Sequence, residues 1–391
     1  MKLLTLTSLF PGSAAPRHGV FVRERMADYR ERYGAEIEVV APVPYYPRWL
    51  PGRRYGHFAR TPREEEWGGF HVRHPRYLMI PKIGVPLQGL LYHSGVKDTV
   101  RRRLHEFRFD LIDAHYAYPD GFAAALLKQR LRVPLALTVR GTDVNLMPGY
   151  RSLRGQVRFA LQSADAVIAV SKALAELAVQ AGADPGRVVT LRNGVDPELF
   201  RPLDQDRCRQ ELELEPGRRV LASVGFLIPR KAQDVILRAL SGFPEPERPT
   251  LLLAGDGPEE GRLRRLAGEL GLSDQVRFLG GVEHGALAAI YSAADLSVLV
   301  SSREGWPNVL LESMACGTPV IASAVHGSVE VVANERVGLL LRERTPEALR
   351  AAIRAGFAQG FDRREVRSYA EGMGWEQTSA GLHEVFSRLV R

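Results

Sequence analysis

Only two cysteines, Cys208 and Cys316, occur in 391 residues. One pair cannot build a disulfide framework, and such sparing use suits a reducing compartment. No run of about 18 apolar residues is present, so the sequence offers no membrane-spanning helix. The N-terminal stretch Leu3–Phe10 lacks the unbroken apolar core of a signal peptide. Thr5, Thr7 and Ser8 interrupt it, and its alternation reads as a first β-strand. A dinucleotide fingerprint, Gly-x-Gly-x-x-Gly between strand and helix, is also missing. Gly255-Asp256-Gly257 lacks the third glycine, which argues against a nicotinamide-dependent oxidoreductase.

What is present is a globular composition, 45% hydrophobic and 25% charged. One core rarely grows past about 250–300 residues, so this length implies two domains. Short Val/Leu/Ile strands alternate with amphipathic helices. Strands are expected at 3–9, 36–41, 110–114, 134–139, 166–170 and 187–191, then at 219–224, 249–254, 275–279, 296–300, 319–321 and 337–341. Such alternation gives an α/β fold of two doubly wound Rossmann-like domains. Each carries a crevice at its strand C-termini, so a ligand is expected where the two domains face each other across a cleft. The boundaries read as a first domain 1–200, a polar linker 201–218, a second domain 219–374 and a C-terminal helix 375–391 returning to the first domain.

Charge is unevenly placed. Residues 1–200 balance at +10 and residues 201–391 at −2. A basic half suits an anionic partner: a phosphorylated substrate, an anionic membrane surface or nucleic acid, against the plain reading of solvated arginines. The loop 42–58 mixes prolines, aromatics and arginines, and Arg101-Arg102-Arg103 makes a basic helix end. Rings beside guanidiniums suit sugars, phosphates or a membrane interface, or simply pack on their own domain.

The most specific segment runs from Ser301 to Val320. It follows the strand 296–300, turns at Glu304-Gly305 and opens a helix with Pro307 in its first turn. Orphan N–H groups at such a start can meet a diphosphate or sugar hydroxyls. Glu304…Glu312, with Gly305, Pro307, Leu311, Met314-Ala315, Gly317 and Pro319-Val320, resembles the E-x(7)-E region of glycosyltransferase family 4, retaining enzymes of the GT-B fold. Arg192-Asn193-Gly194-Val195-Asp196 resembles that family's N-G-V-D segment. Val224 to Asp234 resembles its G-R-L…K-G-x-D loop. Ala254–Pro258 and Val276–Gly280 fit further strands and turns, so the likeness spans nearly the whole chain.

The resemblance implies retaining, metal-independent transfer of a sugar from a UDP- or GDP-linked donor, with no cofactor. Carried over by position, Glu304 would hold the donor sugar's hydroxyls, Lys231 would neutralise the leaving diphosphate, and His115 would face the reacting centre. Gly19 would bring its backbone near the diphosphate, beside Gly305, Trp306, Pro307 and Asn308. Glu312 would take the ribose, with Arg277 stacking the base and Gly255 lining the nucleotide. Phe226 stands where the family has an arginine, and Arg230 is expected to supply that charge, since a guanidinium can clamp phosphate bidentately. Ala232 replaces a glycine, which suggests a backbone that avoids positive φ. Arg140 in Arg140-Gly141-Thr142-Asp143 either meets an acceptor or donor phosphate or makes a structural salt bridge to Asp143 or a neighbour, and Tyr116 lies on the same acceptor side.

Without an evident general base in the first domain, the expected mechanism is front-face substitution. The departing phosphate oxygen then takes the acceptor's proton. The acceptor is expected to be a saccharide or a lipid-linked intermediate of envelope or exopolysaccharide assembly, with no nucleic-acid partner. The expected location is the cytoplasm, peripheral on the membrane's inner face. Asp204-Gln205-Asp206 spells the metal-binding pair of another transferase fold but sits in the linker, and His71-x-x-His74 has no further ligand spacing; both read as solvated or structural. The competing readings are a sugar-nucleotide epimerase or a non-catalytic sugar-nucleotide-binding protein of the same fold.

Overall fold

The computed structural model describes residues 1–45, 56–80 and 84–391, so most of the proline-aromatic loop lies outside the described residues. The chain divides into two compact units, Met1–Asn193 with Trp375–Arg391, and Gly194–Gly374.

The first unit contains β1 (Lys2–Thr7), β2 (Glu36–Val40), β3 (Val43–Pro44), β4 (Glu64–Trp67), β5 (Phe70–Arg73), β6 (Arg76–Tyr77), β7 (Leu111–His115), β8 (Leu135–Val139), β9 (Ala166–Ala169) and β10 (Val188–Thr190). Eight of these form one sheet in the order β10-β9-β8-β7-β1-β2-β5-β4, and β3 pairs with β6. β1, β7 and β8 are buried along nearly their whole length, as parallel strands covered on both faces must be. No strand was expected over the hairpin β4–β5. It is the antiparallel edge of the sheet, with Glu64 opposite Arg73 and Trp67 opposite Phe70. Charge on an edge strand discourages pairing with another chain.

The second unit contains β11 (Val220–Val224), β12 (Thr250–Ala254), β13 (Val276–Gly280), β14 (Leu296–Leu299), β15 (Val320–Ser323) and β16 (Gly338–Leu341). They form a parallel sheet in the order β13-β12-β11-β14-β15-β16. Its helices begin and end on local signals. The Thr345 hydroxyl accepts from the Ala348 N–H, Pro346 occupies the first turn, and Gly360 closes the helix Pro346–Gln359 in the left-handed region. Both units are therefore Rossmann-like α/β folds. Their strand orders part between β1 and β7 in one and between β11 and β14 in the other, and ligands of such sheets bind where the order parts.

The stretch 201–218, expected as a linker, belongs to the second unit. Asp204 caps a helix Gln205–Glu211 by accepting from the Arg207 N–H, Cys208 is buried, and Arg209 pairs with Asp295 at 3.0 Å. Its polar composition hid a short helix anchored by one cysteine and one ion pair. The helix Glu376–Val390 belongs to the first unit, where Leu382, Val385 and Phe386 share a core with Leu3, Val22, Met26 and Tyr29. The Phe386 and Tyr29 rings meet edge to face at 5.4 Å.

One buried carboxylate ties this unit's loops together. Asp120 accepts from the Ser8 backbone N–H, from the Ser8 hydroxyl at 3.0 Å and from the Tyr92 hydroxyl at 2.8 Å. Burial outweighs these hydrogen bonds and pushes its pKa up to about 7. A carboxyl raised in the folded state holds a proton that the unfolded chain releases near pH 4, so its contribution to stability falls as pH rises from about 4 to 7. Asp120→Asn should remove this component. The difference in denaturation midpoint between parent and variant, measured across that range, should vary with pH; a constant difference would disprove the assignment. Phe386→Ala should cost about 3–5 kcal/mol in the first unit's unfolding transition, read by denaturant titration.

Candidate active site

In the second unit the candidate residues gather where β11 and β14 part. β11 runs into Gly225, the exposed Phe226 and a short turn Pro229–Lys231, while β14 runs into Ser301–Pro307 before the helix Asn308–Ala315. These two loops meet through one carboxylate. Glu304 is 7% exposed, its Oε1 lies 2.7 Å from Lys231 Nζ, and its Oε2 lies 3.2 Å from Arg230 Nη1. Arg230 also donates to the Arg303 carbonyl at 2.7 Å. Burial alone would push the Glu304 pKa up, but the two cations outweigh it and hold the carboxyl below its ordinary value. The corner therefore holds one anion and two cations, with Glu304 and Lys231 largely buried and Arg230 28% exposed. Trp306 and Pro307 are buried beside it, while Gly305 and Asn308 are partly exposed.

Gly255 ends β12 at φ 151, and a Cβ there would lie 2.0 Å from the Gly225 carbonyl oxygen. Its bare backbone is thus what lets the Gly225 loop seat against β12. Ala232 corrects an expectation: it stands at φ 51, ψ 43, in the left-handed region it was expected to avoid. Its methyl is buried in the core beside Leu227 and Ile236, and that burial offsets a left-handed cost of about 1 kcal/mol.

Glu312 lies within the helix that Glu304 precedes. Its carboxylate accepts from the Tyr291 hydroxyl at 3.1 Å and lies 3.1 Å from His284 Nε2, while Phe200 meets the His284 ring edge to face at 4.9 Å. His284 and Tyr291 were not singled out from the sequence. They come from 28 and 21 residues away on other elements, and no local spacing connects them to Glu312. Arg277 also departs from expectation. It is the second residue of β13, away from the strand's C-terminal end, and its guanidinium donates to the carbonyls of Leu212, at 2.7 Å, and Glu213.

In the first unit the candidates gather where β1 and β7 part. Gly19 precedes the helix Val20–Tyr33 at φ 72, and a Cβ there would lie 2.3 Å from the Leu9 carbonyl, so only glycine fits. His115 ends β7 and is fully buried. Its Nε2 lies 2.7 Å from Asp113 Oδ2 and its Nδ1 lies 2.6 Å from Arg140 Nη2. A guanidinium can only donate, so Nδ1 accepts and the proton sits on Nε2, directed at Asp113. Burial, aided by the charges of Arg140 and Arg25, pushes the His115 pKa down to about 4. The ring is a neutral imidazole with both nitrogens engaged by protein groups.

Arg140 does not pair with Asp143 through its side chain. Its guanidinium donates to the Asn193 side-chain oxygen at 3.0 Å as well as to His115, and lies over the Phe21 ring. Asp143 instead accepts backbone N–H groups from Ala117, Arg140 and Gly141, joining the loops after β7 and β8. Tyr116, between them, stands at φ 87. Arg25, unremarked in the sequence, is fully buried here. Burial brings its pKa down to about 10, and its Nε and Nη2 have no hydrogen-bond partner among the described residues. Of the two histidines set aside for metal binding, His74 is held between the Ala41 carbonyl at 2.7 Å and Glu65 at 2.9 Å.

Comparison with known proteins agrees with this layout. Residues 56–199 match Glycosyltransferase Family 4 and residues 204–373 match Glycosyl transferases group 1. The chain is 36% identical to D-inositol 3-phosphate glycosyltransferase 2 of Catenulispora acidiphila, over 82% of this chain and 80% of that one. It is 30% identical to TuaC of Bacillus subtilis, named for teichuronic acid biosynthesis, over 90% and 88%. Among solved structures it superposes on sucrose-phosphate synthase of Thermosynechococcus elongatus with a TM-score of 0.82 at 22% identity, over 99% and 98% of the two chains. It superposes on Anabaena HepE in complex with UDP and glucose with a TM-score of 0.76 at 23% identity, over 99% and 100%. With its two Rossmann-like units and matches across both, the chain belongs to glycosyltransferase family 4 and has the GT-B fold.

Proposed function

We propose that this glycosyltransferase is a retaining, metal-independent hexosyltransferase that moves a sugar from a UDP- or GDP-linked donor to an acceptor hydroxyl. The observation that carries the reading is the buried Glu304 carboxylate held between Lys231 and Arg230 where β11 and β14 part. As the sugar–phosphate bond breaks, negative charge grows on the departing diphosphate. Preplaced cations in a poorly hydrated corner stabilise that growth more than they stabilise the ground state. Lys231 and Arg230 take that role, with Arg230 supplying the charge that Phe226 lacks. Glu304 keeps lone pairs for donor-sugar hydroxyls. Glu312, pre-oriented by Tyr291 and His284, accepts from the ribose diol.

His115 is a positioning residue in this scheme. Its Nε2 proton is committed to Asp113 and its Nδ1 lone pair to Arg140, so it neither takes nor gives a proton during transfer. It aims Arg140, which is the group that would meet an anionic acceptor. The acceptor's proton then passes to the leaving phosphate oxygen as the new glycosidic bond forms on the same face. For the acceptor we favour a lipid-linked or polysaccharide intermediate of envelope assembly. Support comes from the basic first half and from relatives named for inositol-phosphate and teichuronic acid chemistry. HepE, solved with UDP-glucose, supports the donor class.

A thermal-shift panel of UDP- and GDP-sugars should raise the melting midpoint with one base and not the other, and Glu312→Ala should lose that shift. Lys231→Ala should lower kcat roughly 100- to 1,000-fold with donor binding less affected, and chelation by EDTA should leave the parent rate unchanged. Donor turnover without an acceptor would favour an epimerase instead. The parent's kcat/KM should show no imidazole inflection through about pH 6–8, and His115→Gln should impair transfer mainly through Arg140. An inflection abolished by that substitution would assign His115 a proton-transfer role and overturn this part of the scheme.

A further inference from the structure

The loop 8–19 joins β1 to the helix Val20–Tyr33 and is held by two carboxylates from elsewhere in the first unit. At its start, the fully buried Asp120 accepts from the Ser8 backbone N–H and, at 3.0 Å, from the Ser8 hydroxyl. At its crest, Glu65 of β4 accepts from the Ser13 N–H at 3.1 Å, and His74 Nε2 lies 2.9 Å from the other oxygen of that carboxylate. Gly12 is packed against the same group, since a Cβ there would lie 2.5 Å from Glu65 Oε1. Within the loop, Gly12 and Ala15 exchange backbone hydrogen bonds, and the His18 N–H donates to the Ala15 carbonyl. Carboxylates leave water only where hydrogen bonds replace their hydration, and here the loop's own backbone supplies those bonds. The loop is thereby a fixed platform.

That platform presents one imidazole. His18 is exposed, yet its ring is anchored: Nε2 lies 3.0 Å from the carbonyl oxygen of Ser8, one residue past the end of β1. A carbonyl can only accept, so Nε2 carries the proton and the neutral ring keeps its lone pair on Nδ1. Desolvation outweighs the Ser8 carbonyl and holds the ring's pKa below its ordinary value, so the neutral form prevails at pH 7 and above. Ser8 follows β1 where β1 and β7 part, the edge that also carries Gly19 and His115. Arg140 brings positive charge to that edge through its contact with His115. A lone pair on a neutral ring calls for a different partner, a hydroxyl hydrogen, which an ionised phosphate does not offer.

We propose that His18 Nδ1 accepts a hydrogen bond from a hydroxyl of the saccharide acceptor and so orients the acceptor in the first unit. The inference rests on the acceptor reading above and adds the group that fixes the acceptor's sugar ring. The hydroxyl concerned is not the attacking one, whose proton is bound for the leaving phosphate oxygen. His18 stays neutral throughout, and no covalent bond forms or breaks at its ring.

Two amide variants divide the ring's nitrogens between them. His18→Gln keeps a donor near the Nε2 position, and with it the Ser8 bond, but has nothing at Nδ1. His18→Asn keeps an acceptor oxygen near the Nδ1 position and gives up the Ser8 bond. Transfer is followed at pH 8 from the donor that the thermal-shift panel selects to farnesyl-diphosphate-linked N-acetylglucosamine. His18→Gln should raise the acceptor KM roughly five- to tenfold, the worth of one neutral hydrogen bond, with kcat, donor KM and melting midpoint close to the parent's. His18→Asn should fall between His18→Gln and the parent. A ring that only caps the loop would give the reverse order, with His18→Asn impaired and His18→Gln not. That order would overturn the proposal, as would a rise in donor KM in place of acceptor KM.

A second measurement needs no substrate. In the full chain with 15N-labelled histidine at pH 8, His18, identified by the signal that His18→Gln removes, should be the Nε2-protonated tautomer. The Nδ1-protonated form would also overturn the proposal. A parent inert on the acceptor probe, with donor binding intact, would instead overturn the acceptor reading, and with it the ligand assigned to His18.

Discussion

A carboxylate taken out of water is tolerated only where cations and hydrogen bonds replace its hydration. Glu304 meets that requirement through Lys231 and Arg230, and both cations come from the opposite loop. The ion triad therefore does two things at once. It locks the loop after β11 to the loop after β14, and it stores positive charge where the sheet order parts. The cost of taking the Glu304 carboxylate out of water is met during folding, by cations that the fold holds in place.

The first unit handles charge differently. Arg25 is fully buried and Arg140 partly so, both feel the charge of Asp113, and the imidazole of His115 is forced neutral. Its orientation is fixed by what its neighbours can and cannot do, since Arg140 only donates and Asp113 receives the remaining proton. This is a relay of orientation and not of protons. It explains how a histidine can stand at a strand end where the sheet order parts and yet be sealed from solvent.

Much of this was legible in the chain. Runs such as Val220–Val224 and Leu296–Leu299 announce buried parallel strands because they carry no polar residue that such a site would reject, apart from small serines. Glu304, Glu312 and Lys231 stood out because one local pattern holds each of them. What stayed hidden depends on distance in sequence. Tyr291 and His284 reach Glu312 only after folding, Arg25 meets Asn193 across 168 residues, and Asp120 reaches Ser8 across 112. Arg277 was placed beside the base by resemblance alone, and the Leu212 and Glu213 carbonyls that its guanidinium meets lie 65 and 64 residues away in sequence. Ala232 misled because a buried methyl can hold a backbone conformation that the residue's own preference disfavours.

The contact between Gly255 and the Gly225 carbonyl divides the loop after β11 into fixed and free letters. A methyl at 255 has nowhere to go, and Gly225 in turn leaves ordinary contact room beside the Lys231 stem, 3.5 Å from where its own Cβ would be. Phe226, one residue on, is half exposed and answers to none of these neighbours. Drift or engineering that alters this loop thus has a natural point of entry at 226, while Gly225 and Gly255 act as the frame that any such change must keep.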